Sequence, residues 1–315
     1  RMSRGLGDVY KRQKMNLENT VIFHLSAGMC MAHRMAVISE INSALERKHK
    51  NPDAPKVVCI STQVIEAGVD VSFGCVIRLC AGLDSVIQAA GRCNRNGELN
   101  GAADVFIINC RGEDLGMLRS IKDGKMACMS LLSDCKYHPE KYPSGLTSDE
   151  AVYAYYKKLY IQSDIGAQDM PIKIDGSPFT LFDLLSLDRT YANAPYLKAN
   201  GEKYALTQAF KTAGSRFTVF GSRTTDVIVP YGEGKEIIAE LGSKRAEEDI
   251  KYLKKLIKEA RAYTVSLYEN QRRALADSGA LHPIADGIAL ALSEEFYNEA
   301  FGLNLDGESR EAITL

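Results

Sequence analysis

Four apolar runs rich in β-branched residues, Val21 to Leu25, Val57 to Ile60, Cys75 to Leu79 and Asp104 to Ile108, are the feature that most narrows what this chain can become. Such runs, too short for core helices and lacking polar alternation, predict strands buried on both faces of a parallel sheet. Between the first two, Ala32 to Lys50 places Met35, Ile38, Ile41 and Leu45 at helical spacing, and Asp84 to Asn94 reads as a helix between the last two. Strands alternating with helices imply a doubly wound α/β layer, ending near residue 112. From about 113 to 200 the pattern turns helical and irregular. There Thr147-Ser148-Asp149-Glu150 predicts a capped start for a helix over Ala151 to Tyr160, carrying Tyr153, Tyr155, Tyr156 and Tyr160. Residues 161 to 180 read as a connector. Phe217 to Phe220 and Asp226 to Pro230 are expected to pair as a hairpin across Gly221 to Thr225, and a helix over 244–261 is expected to turn Ile250, Leu253, Leu256, Ile257 and Ala260 inward.

At 315 residues the chain can hold more than one domain. We divide it into a leader at 1–13, an α/β lobe at 14–112, a helical extension and connector at 113–200, and an accessory domain at 201–315. The leader lacks apolar periodicity and reads as non-native sequence. With its basic residues set aside, the rest is net acidic, so nucleic acid would have to be gripped by a local groove rather than by overall charge. No apolar run reaches membrane-spanning length and no secretory pattern opens the sequence, which makes the cytoplasm the expected compartment. The eight cysteines form no C-x-x-C pair or zinc-type cluster, and they read as reduced, mostly buried thiols. No metal site is expected from the residues present.

Two segments carry chemistry. Ser61-Thr62 closes an apolar strand, placing hydroxyls and backbone N–H groups at the carboxyl edge of the sheet, where open α/β sheets bind ligands. Gly68 gives backbone freedom just before Val69-Asp70. Downstream, Gln88, Arg92 and Arg95 stand at i, i+4 and i+7, which on one continuous helix would put an amide and two guanidinium groups on a single face. Phosphoryl transfer needs such convergence, because charge spreads over the γ-phosphate oxygens. Gly91 permits close approach of that helix to its neighbour. The bland alternatives are a solvated basic face and an ordinary strand-end turn.

The run Ser61 to Phe73 together with Leu83 to Glu98 resembles the fifth and sixth motifs of superfamily 2 helicases, and in its wording the CRISPR-associated helicase-nuclease of type I systems. Resemblance continues through His24-Leu25-Ser26, Met31 to Arg34, Asp226 to Gly232 and Tyr263 to Tyr268. It implies most of the second RecA-like lobe, truncated at its start, followed by a mostly helical accessory region with a small β-hairpin. It implies Arg92 and Arg95 as arginine fingers, Gln88 near the γ-phosphate or the attacking water, and Asp70, Gly68 and Gly91 on the nucleotide side. Ser26, Arg34 and Thr62 would meet the DNA backbone. It further implies ATP and Mg²⁺ held mainly by a first lobe absent from this sequence, a divalent metal in an absent HD nuclease domain, and single-stranded DNA and a guide-RNA surveillance complex as partners. No G-x-x-x-x-G-K-S/T occurs, since Gly234-Lys235 is followed by Glu236, and no His-Asp dipeptide occurs. The fragment alone is therefore expected to be inactive. A general superfamily 2 helicase and a non-enzymatic nucleic-acid-binding subunit are the rival readings.

Overall fold

A computed structural model describes residues 19–66, 68–110, 115, 118–162, 170–174, 177–185, 209–217 and 224–307. The expected leader at 1–13 lies outside them. The chain separates into two compact units, one of residues 1–76, 88–105 and 222–315, the other of 77–87 and 106–221. This grouping cuts across the boundaries expected from sequence: most of the α/β segment shares a unit with the C-terminal region.

In the first unit, β1 (Thr20–Leu25) and β2 (Lys56–Ser61) run parallel, Thr20 opposite Lys56 through Leu25 opposite Ser61. The crossover is α1 (Met31–Lys50), whose interior face carries His33, Ile41 and Ala44. Met35, expected on that face, is 58% exposed. The next strand, β3 (Cys75–Leu79), precedes α2 (Leu83–Ala90) and pairs with β4 (Asp104–Ile108) in a separate two-stranded sheet. The four runs thus form two pairs among the described residues rather than one layer. Full burial fails with it. Both β3 and β4 alternate exposed and half-buried positions, with Ile77, Leu79, Phe106 and Ile108 exposed.

The second unit is built around two helices, α3 (Arg119–Tyr137) and α4 (Asp149–Gln162). The Ser148 hydroxyl accepts the Ala151 N–H, starting α4 where the sequence placed a cap. Tyr155 is buried, and its hydroxyl donates to Asp84 at 3.1 Å; Tyr153, Tyr156 and Tyr160 stay exposed. Leu83, Val86, Ala127, Cys128, Leu131 and Ala151 complete the core. A Cβ at Gly124 would stand 3.2 Å from the Gly82 Cα, so the lack of a side chain lets α3 approach the loop before α2. The expected connector holds a hairpin, β5 (Pro171–Ile174) with β6 (Ser177–Thr180), followed by the short helices α5 (Leu181–Leu185) and α6 (Phe210–Arg216).

The C-terminal part of the first unit is more β-rich than the sequence suggested. A four-stranded sheet in the order β8-β7-β10-β9 joins β7 (Thr224–Ile228), β8 (Thr264–Tyr268), β9 (Leu281–Ile284) and β10 (Ala289–Leu292). The hairpin expected at Phe217–Phe220 is not what pairs with β7: β7 lies between β8 and β10, where Val227, Val265, Leu267 and Leu292 bury together, and Thr218–Phe220 lie outside the described residues. Between β7 and β8 come α7 (Gly234–Leu241), α8 (Lys244–Glu248) and α9 (Ile250–Ala260). The single helix expected over 244–261 is broken at Asp249, whose carboxylate accepts the Lys251 and Tyr252 N–H groups and so caps α9. Leu256 and Ala260 are buried as expected, whereas Ile250, at the start of α9, is exposed. After β8 come α10 (Glu269–Asp277) and, beyond β10, a last pair, β11 (Tyr297–Asn298) and β12 (Gly302–Leu303).

All eight cysteines are free thiols. Cys30, Cys80 and Cys128 are buried, Cys75 and Cys110 are exposed, and burial pushes the Cys59 thiol up to about 12. Among the described residues no helix is long and apolar enough to cross a membrane.

His33 gives this unit a pH dependence. Burial lowers its pKa from the ordinary 6.5, with the Glu299 backbone and carboxylate offsetting part of the effect. Below 6.5 the unfolded chain takes up more protons than the folded one, so this contribution is complete above 6.5 and fades as pH falls toward the lowered value. Urea midpoints across about pH 5–7.5 should decline on the acid side. In His33→Gln that segment of the decline should flatten, and an unchanged profile would count against the assignment.

Candidate functional site

Within the first unit, the segment after β2 is stitched to its surroundings by backbone and side-chain bonds. The Thr62 N–H and the Ser61 hydroxyl both donate to the Leu25 carbonyl, at 3.0 and 3.1 Å, tying the ends of β1 and β2 together. Ser26 and Thr62 therefore lie on one rim, Ser26 half-buried and the Thr62 side chain exposed. Arg34 lies in the first turn of α1 and is half-buried. Beyond the turn at Gln63–Ile65, Gly68 adopts φ +72 with open space around it, a left-handed conformation that glycine takes without strain. Asn42 of α1 donates to the Asp70 carbonyl at 3.1 Å, and Val71 is buried.

The segment Leu83 to Glu98 differs from the sequence expectation. Helix α2 ends at Ala90, so Gln88, Arg92 and Arg95 do not share one helical face. The helix stops because the chain turns at Gly91 to pair with the preceding segment: the Phe73 N–H donates to the Arg92 carbonyl at 2.9 Å and the Asn94 N–H to the Phe73 carbonyl at 2.8 Å. Asn94 takes φ 45, and its side chain bonds the Leu99 N–H and the Leu99 and Gly101 carbonyls. Asparagine tolerates that backbone and fills its own turn.

This turn sends the two arginines to different tasks. Arg92 is only 9% exposed, its Nε donating to the Ile65 carbonyl at 3.0 Å and an Nη to the Glu66 carbonyl at 2.8 Å. It braces the loop after β2 and does not project outward as expected. Arg95 remains exposed, with its Nε 2.9 Å from the Asp70 carboxylate. Both partners of that pair are solvated, which limits its worth to roughly 0–1 kcal/mol and lets the guanidinium exchange anions readily. Gln88 is exposed on the last turn of α2, and Gly91 is exposed at the turn. The structure thus gathers Gly68, Asp70, Gly91, Arg92 and Arg95 around one loop.

Several contributors were not foreseen. Ser72 donates to Glu98, and that bond, with a second from Asn96, holds the Glu98 carboxyl below its ordinary range. Asn42 carried no signal, being a polar residue on an amphipathic helix. His33 and Tyr297, whose polar atoms meet across 264 residues, carried no local one. Among the described residues no group of three or more His, Cys, Asp or Glu side chains is placed to hold a metal ion.

Residues 5–98 match the family model described as CRISPR-associated nuclease/helicase Cas3, C-terminal. The match reaches back over part of the stretch read as a leader. A CRISPR-associated nuclease/helicase Cas3 of Haloferax volcanii is 66% identical over 41 residues, 13% of this chain and 4% of that protein. The crystal structures of T. fusca Cas3-AMPPNP and Cas3-ATP align with TM-scores of 0.49 and 0.48, at 15% and 13% identity, covering 96% and 93% of this chain and 34% of each of theirs. The chain therefore spans about a third of those structures and a small part of the curated relative.

The different anchoring of the two arginines is open to measurement. Arg92→Ala strands two loop carbonyls and should cost about 1–3 kcal/mol in urea unfolding, whereas Arg95→Ala should stay within about 0.5 kcal/mol. Equal losses would refute the distinction.

Proposed function

We propose, from the premise that this chain carries part of the C-terminal region of the CRISPR-associated nuclease/helicase Cas3 family, that it belongs to an ATP-dependent helicase-nuclease of type I interference that unwinds and degrades foreign DNA. Its share of that activity is one wall of a nucleotide pocket and part of a DNA-backbone track. The observation that supports this most directly is the division of labour at the sixth motif: a buried Arg92 fixes the loop, and an exposed Arg95 is held only by a solvated carboxylate. A guanidinium so held can leave Asp70 for a phosphate at little cost.

The donor set fits one side of a nucleotide. Arg95 and Gln88 are exposed and would meet a γ-phosphate, while Asp70, paired with Arg95, and Gly68 would serve the rest of the nucleotide. The phosphate cradle and the Mg²⁺ ligands would come from a first RecA-like lobe, and the nuclease metal from an HD domain, both outside this sequence. ATP supplies the phosphoryl group whose developing charge Arg95 would stabilise; Arg92 acts by keeping the loop in place. Ser26, Thr62 and Arg34 offer hydroxyl and cationic contacts to a single DNA strand along the rim, with recruitment by a guide-RNA surveillance complex and work in the cytoplasm as the setting.

The purified chain should hydrolyse no ATP above a mock preparation. In a protein carrying both lobes, Arg95→Ala should lower DNA-stimulated ATPase by about 10³-fold or more with little loss of DNA affinity. Full ATPase activity in that variant would end the reading.

A further inference from the structure

The C-terminal hairpin and the loop after β1 meet in a dense set of contacts. The Tyr297 hydroxyl accepts the Cys30 backbone N–H at 3.0 Å and lies 3.0 Å from His33 Nδ1. The Glu299 backbone also hydrogen-bonds the His33 ring. His33 stacks on Tyr231 with centroids 4.2 Å apart, and His24 meets Phe301 edge-on at 5.8 Å. The Leu303 N–H donates to the Gly28 carbonyl at 2.8 Å. Gly302, at φ +80, comes so close that a Cβ would lie 2.5 Å from that carbonyl oxygen.

These contacts fall on residues 24–33, the stretch that holds Ser26 and opens α1 at Met31, three residues before Arg34. Helix α1 has no side-chain cap and no acidic residue in its first turn. Its N-cap amide is satisfied instead from the far end of the sequence. Cys30, Tyr231, Tyr297 and Leu303 pack in one cluster with Val227, Val265 and Leu267 of the C-terminal sheet.

We propose that Tyr297 is a positioning residue for DNA, the β11–β12 hairpin acting as a clamp that fixes the Ser26–Cys30 loop and the start of α1 in the conformation that presents Ser26 and Arg34 to the phosphate backbone. This rests on the reading of those residues given above. Removing the hydroxyl frees the Cys30 amide and the His33 ring while leaving the aromatic packing in place. Substituting Gly302 loads the same clamp from its other jaw.

The test compares Tyr297→Phe and Gly302→Ala with the parent chain and with Leu241→Val, a change in the separate core cluster formed by α7 and α9. Amide hydrogen exchange and binding of a labelled oligo(dT) strand are followed at several salt concentrations, well below the melting temperature. Both clamp variants should exchange the Met29–Arg34 amides about tenfold faster or more. They should bind the strand about five- to tenfold more weakly, with a salt slope reduced by roughly one phosphate contact. Leu241→Val should lower stability without either change. Unchanged exchange at these amides in both clamp variants overturns the clamp. So does faster exchange with parent-like affinity and salt slope, provided Arg34→Ala weakens binding. If Arg34→Ala binds as the parent does, it is the DNA-contact reading that fails, and exchange alone then decides whether the hairpin holds the loop.

Discussion

The Arg92 guanidinium, seated on the carbonyls of Ile65 and Glu66, is the contact on which the site depends. Charged donors on neutral carbonyls are among the stronger hydrogen bonds, roughly twice the strength of neutral ones. Here they join two segments that are both irregular and cannot hold their shape alone. With the loop braced, Asp70 is placed to meet Arg95, and Gly68 can turn without competing conformations. The geometry is hierarchical: a buried cation sets the backbone, and the backbone sets an exposed one.

The α/β character was legible because β-branched runs and 3.6-residue periodicity are local signals, and β1, α1, β2, β3 and β4 fall where those signals lie. Their arrangement was not. Whether four strands make one sheet or two pairs depends on contacts distant in sequence, and apolar content alone could not show that Ile77 and Phe106 would face water. At the site, the i, i+4, i+7 spacing of Gln88, Arg92 and Arg95 assumed a helix that continues past Ala90. Gly91 and Asn94 were the local warning. A glycine followed three residues later by an asparagine is a reasonable place for a chain to turn, and here the turn separates the two arginines.

The C-terminal region shows the opposite failure. Strands β9 and β10, four residues each, include His282 and Pro283, and no element was expected there from the sequence. They form because β10 meets β7 and the turn Ala285-Asp286-Gly287 accepts three consecutive positive φ values. Tyr297 and Gly302 were equally silent, since their partners lie at the other end of the chain. Long-range order of this kind leaves no periodic trace.

One consequence of the β3–β4 pair concerns handling. Ile77, Leu79, Phe106 and Ile108 stand in water on one face, and sheltering each is worth up to about 1.5–3 kcal/mol. Molecules bearing such a face lower their free energy by meeting one another, which favours self-association as a preparation is concentrated.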